Sequence, residues 1–305
     1  DKAVLITPAR FLFNAGATGK SWNEKMLADK HLKVVYFEQD SSKVFPNTDI
    51  KGGVAVTYWD VTKNFGAIKV FTSFPELNSI LQKVNNIGYT TLSSIVAGRS
   101  IYKLTDLAIE EVSAISLIQS SGNSSSISSN AFKILNDVIY FESDPNDGED
   151  YVKVFGRLEN KRCYRFIKEK YINQPSNFKK FKIILPKANG TGAIGEVLST
   201  PLIGEPLIGY TDSFIAIGEF KTRTEAEFCM KYIKSKFART MLGILKVTQD
   251  NPAPKWEYVP MQNFTANSDI NWSTSIREID KQLYNKYGLS QEEINFIEEK
   301  VKPME

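Results

Sequence analysis

Short apolar runs rich in β-branched and aromatic residues alternate with amphipathic stretches along the first part of the chain. Lys2-Ala3-Val4-Leu5-Ile6-Thr7 predicts a short buried strand stopped at Pro8, which lacks an N–H for a ladder. A helix is predicted after Ser21, whose spacing to Glu24 is that of a capping box, with Met26, Leu27 and Leu32 on its apolar side. Residues 33–37 and 53–59 predict two strands around a polar loop containing Pro46, Asn47, Thr48 and Asp49. Strand, helix, strand, strand is too little sheet to bury a face, so residues 1–65 read as a fragment of an α/β sheet.

From residue 66 the pattern becomes irregular. Residues 67–71 predict a strand, a helix follows Pro75, and 104–118 predict another helix. Residues 120–129, nearly all serine, predict a mobile loop, and Gly190, Gly192 and Gly195 another flexible one. A strand is expected at 213–217, then a helix opened by a Thr224/Glu227 capping box. That helix would put Ala226, Cys229, Met230, Ile233, Phe237 and Met241 on one buried face and keep Lys231, Lys234, Lys236 and Arg239 off it. Two last helices are predicted at 273–287 and 290–301, the second capped by Ser290 with Glu293 after Gly288. The expected fold class is α+β: the partial α/β sheet in 1–65, a mixed α/β domain in 66–270 and a helical segment in 271–305.

Hydrophobic residues make up 42% and charged residues 24% of the 305, which admits an ordinary core and excludes collagen, coiled coil and a disordered chain. No apolar run is long enough to span a bilayer, so no membrane partner is expected. The chain opens at Asp1 without an initiator Met or a leader, and is expected to belong to a longer protein. Cys163 and Cys229 make neither a disulfide framework nor a zinc site and fit a reducing, cytoplasmic setting. His31, the only histidine, is expected at the surface of a helical run.

The charge is uneven, and this changes the picture. The chain sums to +3, yet residues 151–190 hold eleven basic residues against Glu159 and Glu169, a local +9. The cations Lys153, Arg157, Lys161, Arg162, Arg165, Lys168, Lys170, Lys179, Lys180, Lys182 and Lys187 interleave with Tyr151, Phe155, Tyr164, Phe166, Tyr171, Phe178 and Phe181. Cations that neutralise phosphate, threaded with rings that stack, are the footprint of a nucleic-acid surface; a solvated strand face is the alternative. Lys231, Lys234 and Arg239 form a second candidate set. Upstream, Asp137, Glu142, Asp144, Asp147, Glu149 and Asp150 form an acidic run, read as a solvated loop or a metal-binding stretch.

Two other motifs resemble known chemistry. Gly16-Ala17-Thr18-Gly19-Lys20-Ser21 ends like a phosphate-binding loop, but the first glycine of that pattern falls on Asn14 and the preceding residues, Pro8 to Phe13, do not read as the required strand, so nucleotide binding is not expected. Asp212, Glu219 and Lys221 mimic the acid, acid-x-lysine set of metal-dependent nucleases, with a strand end as the plainer reading. In the loop between the predicted strands, Val44 and Phe45 are apolar residues in a polar connection: a local plug or a ligand platform.

This last loop, Val44-Phe45-Pro46, resembles the final conserved block of amino-group DNA methyltransferases acting on adenine, in which an aromatic residue faces the flipped base. Residues 4–11 are similar to the strand and turn after the catalytic motif of that family. The second half is similar to the target-recognition regions of bacterial type II restriction-modification methylases, at Thr224-Glu225-Ala226, Lys234-Ser235-Lys236-Phe237, Trp256-Glu257-Tyr258-Val259-Pro260 and Asp269-Ile270-Asn271-Trp272. The chain departs from the family in having neither the Asn/Asp-Pro-Pro-Tyr motif nor the glycine-rich turn for S-adenosylmethionine. The resemblance therefore implies the end of a methyltransferase sheet (1–65) followed by a target-recognition domain that binds double-stranded DNA. It implies no catalytic residue, cofactor or metal in this chain, with S-adenosylmethionine bound by an upstream segment of the full-length enzyme. Phe45 is the one family position that carries over, as the target-base stacking residue. The outer edge of the first strand, without upstream partners, would be exposed and open to self-association. The alternatives are a metal-dependent nuclease or nucleic-acid-processing domain, using the acidic run or Asp212 and Glu219, and a non-catalytic interaction module.

Overall fold

Three seven-residue strands rich in apolar residues build the first sheet: β1 (Lys2–Pro8) and β2 (Leu32–Glu38) both pair antiparallel with β3 (Val54–Asp60), which lies between them. The computed structural model describes residues 1–305 apart from 14–17, 51, 120, 121, 123, 191, 247, 248 and 305. Their contacts divide them into two units, 1–88 with 287–296 and 89–286 with 297–305. Ile68 and Phe71 pack on the core of the first sheet, with Phe11, Leu12, Leu27, Leu32 and Ala55.

In the first unit, α1 (Lys20–Ala28) starts one residue before Ser21, with Gly19 as its N-cap and no side-chain capping bond, so the expected Ser21/Glu24 box does not form. His31 lies in the turn after α1, with Nδ1 2.6 Å from the Lys63 carbonyl oxygen. The strand expected at 67–71 is absent: Lys69 takes a left-handed φ of 57°, which breaks any ladder while Ile68 and Phe71 reach the core. Helix α2 (Pro75–Ile87) begins at its proline, where a missing N–H costs nothing, and buries Leu77, Ile80, Leu81 and Val84 at helical spacing. β1 is not buried as expected; it is an edge strand with Val4, Leu5 and Ile6 exposed.

The second unit is α+β around two sheets. After β4 (Val96–Ala97), the span expected as one helix forms α3 (Asp106–Glu111) and α4 (Ala114–Ile118), separated at Val112, whose φ of −122° and ψ of 78° leave the helical region. A short α5 (Ala131–Ile134) precedes β5 (Tyr151–Leu158) and β6 (Lys161–Lys168). β7 (Phe181–Pro186), β8 (Leu202–Gly204), β9 (Ile208–Tyr210) and β10 (Phe214–Phe220) complete the strands. One sheet runs β4-β10-β7-β8, antiparallel throughout; the other runs β6-β5-β9, with β9 parallel to β5. Both contribute to one core, which includes Phe132, Tyr140, Val154, Phe155, Ile167, Ile184, Tyr210 and Phe214. Each fully buried aliphatic or phenylalanine side chain there contributes about 1.5–3 kcal/mol.

The helix expected from Thr224 is two helices, α6 (Arg223–Lys234) and α7 (Lys236–Gly243). The capping box lies two residues earlier than expected, at Thr222 with Glu225. Ser235 breaks the run by adopting ψ 151° and caps α7 through Ala238 N–H; buried Asp280 accepts the N–H groups of Lys236 and Phe237. Asp280 belongs to α8 (Ile276–Lys286), and α9 (Gln291–Lys300) opens on the expected reciprocal bonds between Ser290 and Glu293.

Candidate nucleic-acid interface

The β5–β6 ladder turns the basic window into a patterned surface, because directly opposed residues share a face. One face carries, rung by rung, Tyr151 with Lys168, Lys153 with Phe166, Phe155 with Tyr164 and Arg157 with Arg162. The other carries Val152 with Ile167, Val154 with Arg165, Gly156 with Cys163 and Leu158 with Lys161, and its aliphatic members join the core. Cations and rings therefore meet on the first face. Lys153 Nζ lies 5.5 Å from the Phe166 centroid, and the Phe155 and Tyr164 centroids are 5.0 Å apart. The guanidinium carbons of Arg157 and Arg162 each lie 5.8 Å from the Phe214 centroid, and Tyr164 is 38% exposed beside them.

Arg162 is fastened: Nη1 donates to the Thr200 carbonyl at 2.6 Å and Nη2 to that of Ser199 at 2.9 Å. Thr200 holds a positive φ of 39°, a strained conformation for a β-branched residue. Burial, and then the charge of Arg157, lower the pKa of Arg162 from its ordinary value. The Nε atoms of Arg157 and Arg165 are buried without a hydrogen-bond partner. Arg165 Nη1 donates to the Tyr164 carbonyl at 3.1 Å.

Carboxylates divide the window in two. Glu149 lies 3.1 Å from both Lys168 and Lys170, Asp147 lies 3.8 Å from Lys168, and Glu111 lies 3.2 Å from Lys170. Hydrogen bonds from the two lysines hold Glu149 below the usual carboxylate range and raise both lysines. Part of the acidic run thus neutralises one end of the basic window. Among the described residues, no carboxylate lies within ion-pair distance of Lys153, Arg157, Lys161, Arg162, Arg165, Lys179 or Lys180.

The remaining sequence candidates lie elsewhere. Lys182 is fully buried, its ammonium donating to the carbonyls of Asn177, Lys180 and Glu205, and burial lowers its pKa to about 8. Arg239 is also buried, donating to the carbonyls of Lys234, Gly195, Glu196 and Lys302, with its pKa lowered to about 10 by burial. Both cations serve the interior and present no charge to solvent. Lys231 is half-buried and donates to the Trp272 and Thr274 carbonyls; Lys234 is half-buried nearby on α6.

Phe45 sits on a closed loop in the first unit. Asp40 accepts Ser42 N–H, buried Ser41 donates Oγ to the Thr48 carbonyl and accepts Ile50 N–H, and Thr48 Oγ1 donates to the Phe45 carbonyl at 2.7 Å. These bonds hold the backbone while the Phe45 ring, 40% exposed, stays outside the core cluster of the unit. The nuclease-like residues do not converge: Asp212 accepts the Ser100 and Ser126 hydroxyls, Glu219 that of Ser176, and Lys221 joins the α6 capping box through its N–H. Among the described residues no group of three or more His, Cys, Asp or Glu is arranged to hold a metal ion, and no helix is long and apolar enough to cross a membrane. The phosphate-loop-like stretch falls partly on 14–17, outside the described residues.

Sequence reasoning missed three elements of this surface: Phe214 beneath the two arginines, the Ser199 and Thr200 carbonyls, and the pairing of Arg157 with Arg162. The last had a signal, since a two-residue loop at Glu159 and Asn160 makes the two positions opposite partners. The other two come from distant segments and have none.

No protein-family model matches the chain, and no curated protein sequence does. Among solved structures, the type IIG restriction endonuclease BpuSI is similar over 98% of this chain and 46% of its own, at 10% identity and a TM-score of 0.36. This chain thus spans less than half the length of that restriction enzyme.

Proposed function

We propose that the chain is the recognition part of an adenine-specific DNA methyltransferase of a restriction-modification system, binding double-stranded DNA through the β5–β6 hairpin and its neighbours. The observation that carries this reading is the set of cations without carboxylate partners among the described residues: Lys153, Arg157 and Arg162 interleaved with rings on one face of the ladder, Lys161 and Arg165 on the other, and Lys179 and Lys180 just before β7. A merely solvated strand face gains nothing from opposing two arginines, whereas phosphate oxygens relieve that repulsion and release condensed counterions. Phe45 is the proposed base-stacking residue, on the sequence resemblance and on the exposure of its ring. S-adenosylmethionine and the catalytic motif belong, in this reading, to a segment outside residues 1–305. The test is the affinity of residues 1–305 for a labelled duplex across a salt series. Binding that falls steeply with salt supports the reading; no binding at low salt rejects it in favour of an interaction module, and Mg²⁺-dependent cleavage would favour the nuclease.

A further inference from the structure

The tip of the β5–β6 hairpin is exposed and chemically distinctive. Glu159 and Asn160 form its two-residue loop, closed by the Leu158–Lys161 rung, with φ of 49° and 64° as a I′ turn requires. Both residues are exposed, and neither side chain has a partner among the described residues. The base of the turn is fixed: Leu158 packs against the core and Arg162 is fastened to the Ser199 and Thr200 carbonyls. Cations flank the turn on both faces, Arg157 and Arg162 on one and Lys161 on the other.

Turn propensity alone would favour Asn-Gly or Asp-Gly here, so a glutamate held at positive φ is a poor choice that no intramolecular contact offsets. A carboxylate among phosphate-binding cations is also unfavourable unless it meets a donor. The major groove of duplex DNA supplies one. It is about 12 Å wide and admits a two-stranded ribbon whose strands are about 4.8 Å apart. With Arg157 on one face and Lys161 on the other directed at the two phosphate backbones, Glu159 and Asn160 are left toward the groove floor. There an amide pairs with N6 and N7 of adenine, and a carboxylate accepts from N4 of cytosine.

We infer that Glu159 and Asn160 read base edges in the major groove, an inference that rests on the duplex-binding role proposed above. The test selects duplexes from a randomised pool with the wild-type chain and with Asn160→Asp and Glu159→Gln. Both substitutions keep side-chain size, and aspartate tolerates positive φ as asparagine does. The wild type should enrich a motif. Each variant should change the preferred base at one position, lowering preference for the wild-type motif about 5- to 150-fold. The same motif from both variants, or a wild type that binds with a salt-dependent affinity but enriches none, overturns base reading and leaves duplex binding standing. A wild type that binds no duplex overturns both.

Discussion

Arg157 and Arg162 stand directly opposite each other on the β5–β6 ladder, with both guanidinium groups over the single ring of Phe214. Opposed like charges are destabilising by an amount of the same order as favourable cross-strand pairs contribute, about 0.2–1 kcal/mol. The two carbonyls that hold Arg162 accept hydrogen bonds without neutralising it, so a positive field remains at the rung.

Replacing Arg157, Lys161, Arg162 and Arg165 together by glutamine should therefore weaken duplex binding and flatten its salt dependence. Each phosphate contact contributes about 0.9 to the slope of log affinity against log salt, so the slope should fall by up to about 3.6. Fluorescence anisotropy across a salt series measures this, with a melting curve to register any loss of the Arg162 tether. An unchanged slope would place the phosphate contacts elsewhere, with Lys231 and Lys234 as the next set to test.

Lys182 gives a pH prediction. Burial lowers its pKa from 10.5 to about 8. Between these values the unfolded chain holds a proton that the folded chain does not, so the contribution of this group to stability rises with pH across that window. Below pH 8 the buried charge costs on the order of 3 kcal/mol. Lys182→Met should lose the rise. Measured by denaturant midpoints, the stability of the variant relative to wild type should decline from pH 8 to 10.5. A pH-independent difference would mean that Lys182 is not held against its charge.

Local pattern made the strands at β2, β3 and β10, the proline-started α2 and the Ser290/Glu293 box legible, because each depends on neighbours in sequence. Thr222/Glu225 and Thr224/Glu227 have identical spacing, so nothing local distinguishes the box that forms from the one that does not. Lys182 and Arg239 read as surface cations because their partners are main-chain carbonyls from remote segments, which no composition records. At the candidate site, charge and aromatic content were visible in the sequence. Which cations stay unneutralised depends on where Glu149 and Glu111 fold back, and that was not.

The outer edge of β1 should support self-association. Val4, Leu5 and Ile6 are 63%, 50% and 59% exposed on an edge strand, an arrangement that natural sheets usually guard with charge. Sedimentation velocity should show mass rising with concentration, and Leu5→Lys should hold the chain monomeric by placing a charge mid-strand. A wild type that is monomeric at every concentration removes the edge as an interface.

Phe45→Ala, in an enzyme that also carries the methyl-donor segment, should weaken base flipping at little cost in stability. Full burial would make the substitution cost about 3–5 kcal/mol, but this ring is 40% exposed and outside the core cluster, so the loss should stay under about 1.5 kcal/mol. An enzyme acting on the exocyclic amino group of adenine must take the base out of the stack, and a ring waiting for it returns about 1–3 kcal/mol. The Ser41 and Thr48 bonds fix the loop through backbone groups that the substitution leaves in place, so the platform loses its face without collapsing. Fluorescence of a 2-aminopurine at the target position, read beside the melting temperature, separates the two roles. Reduced emission with a nearly unchanged melting temperature is the expected result, and a large drop in stability with unchanged emission would make Phe45 a plug between the strands.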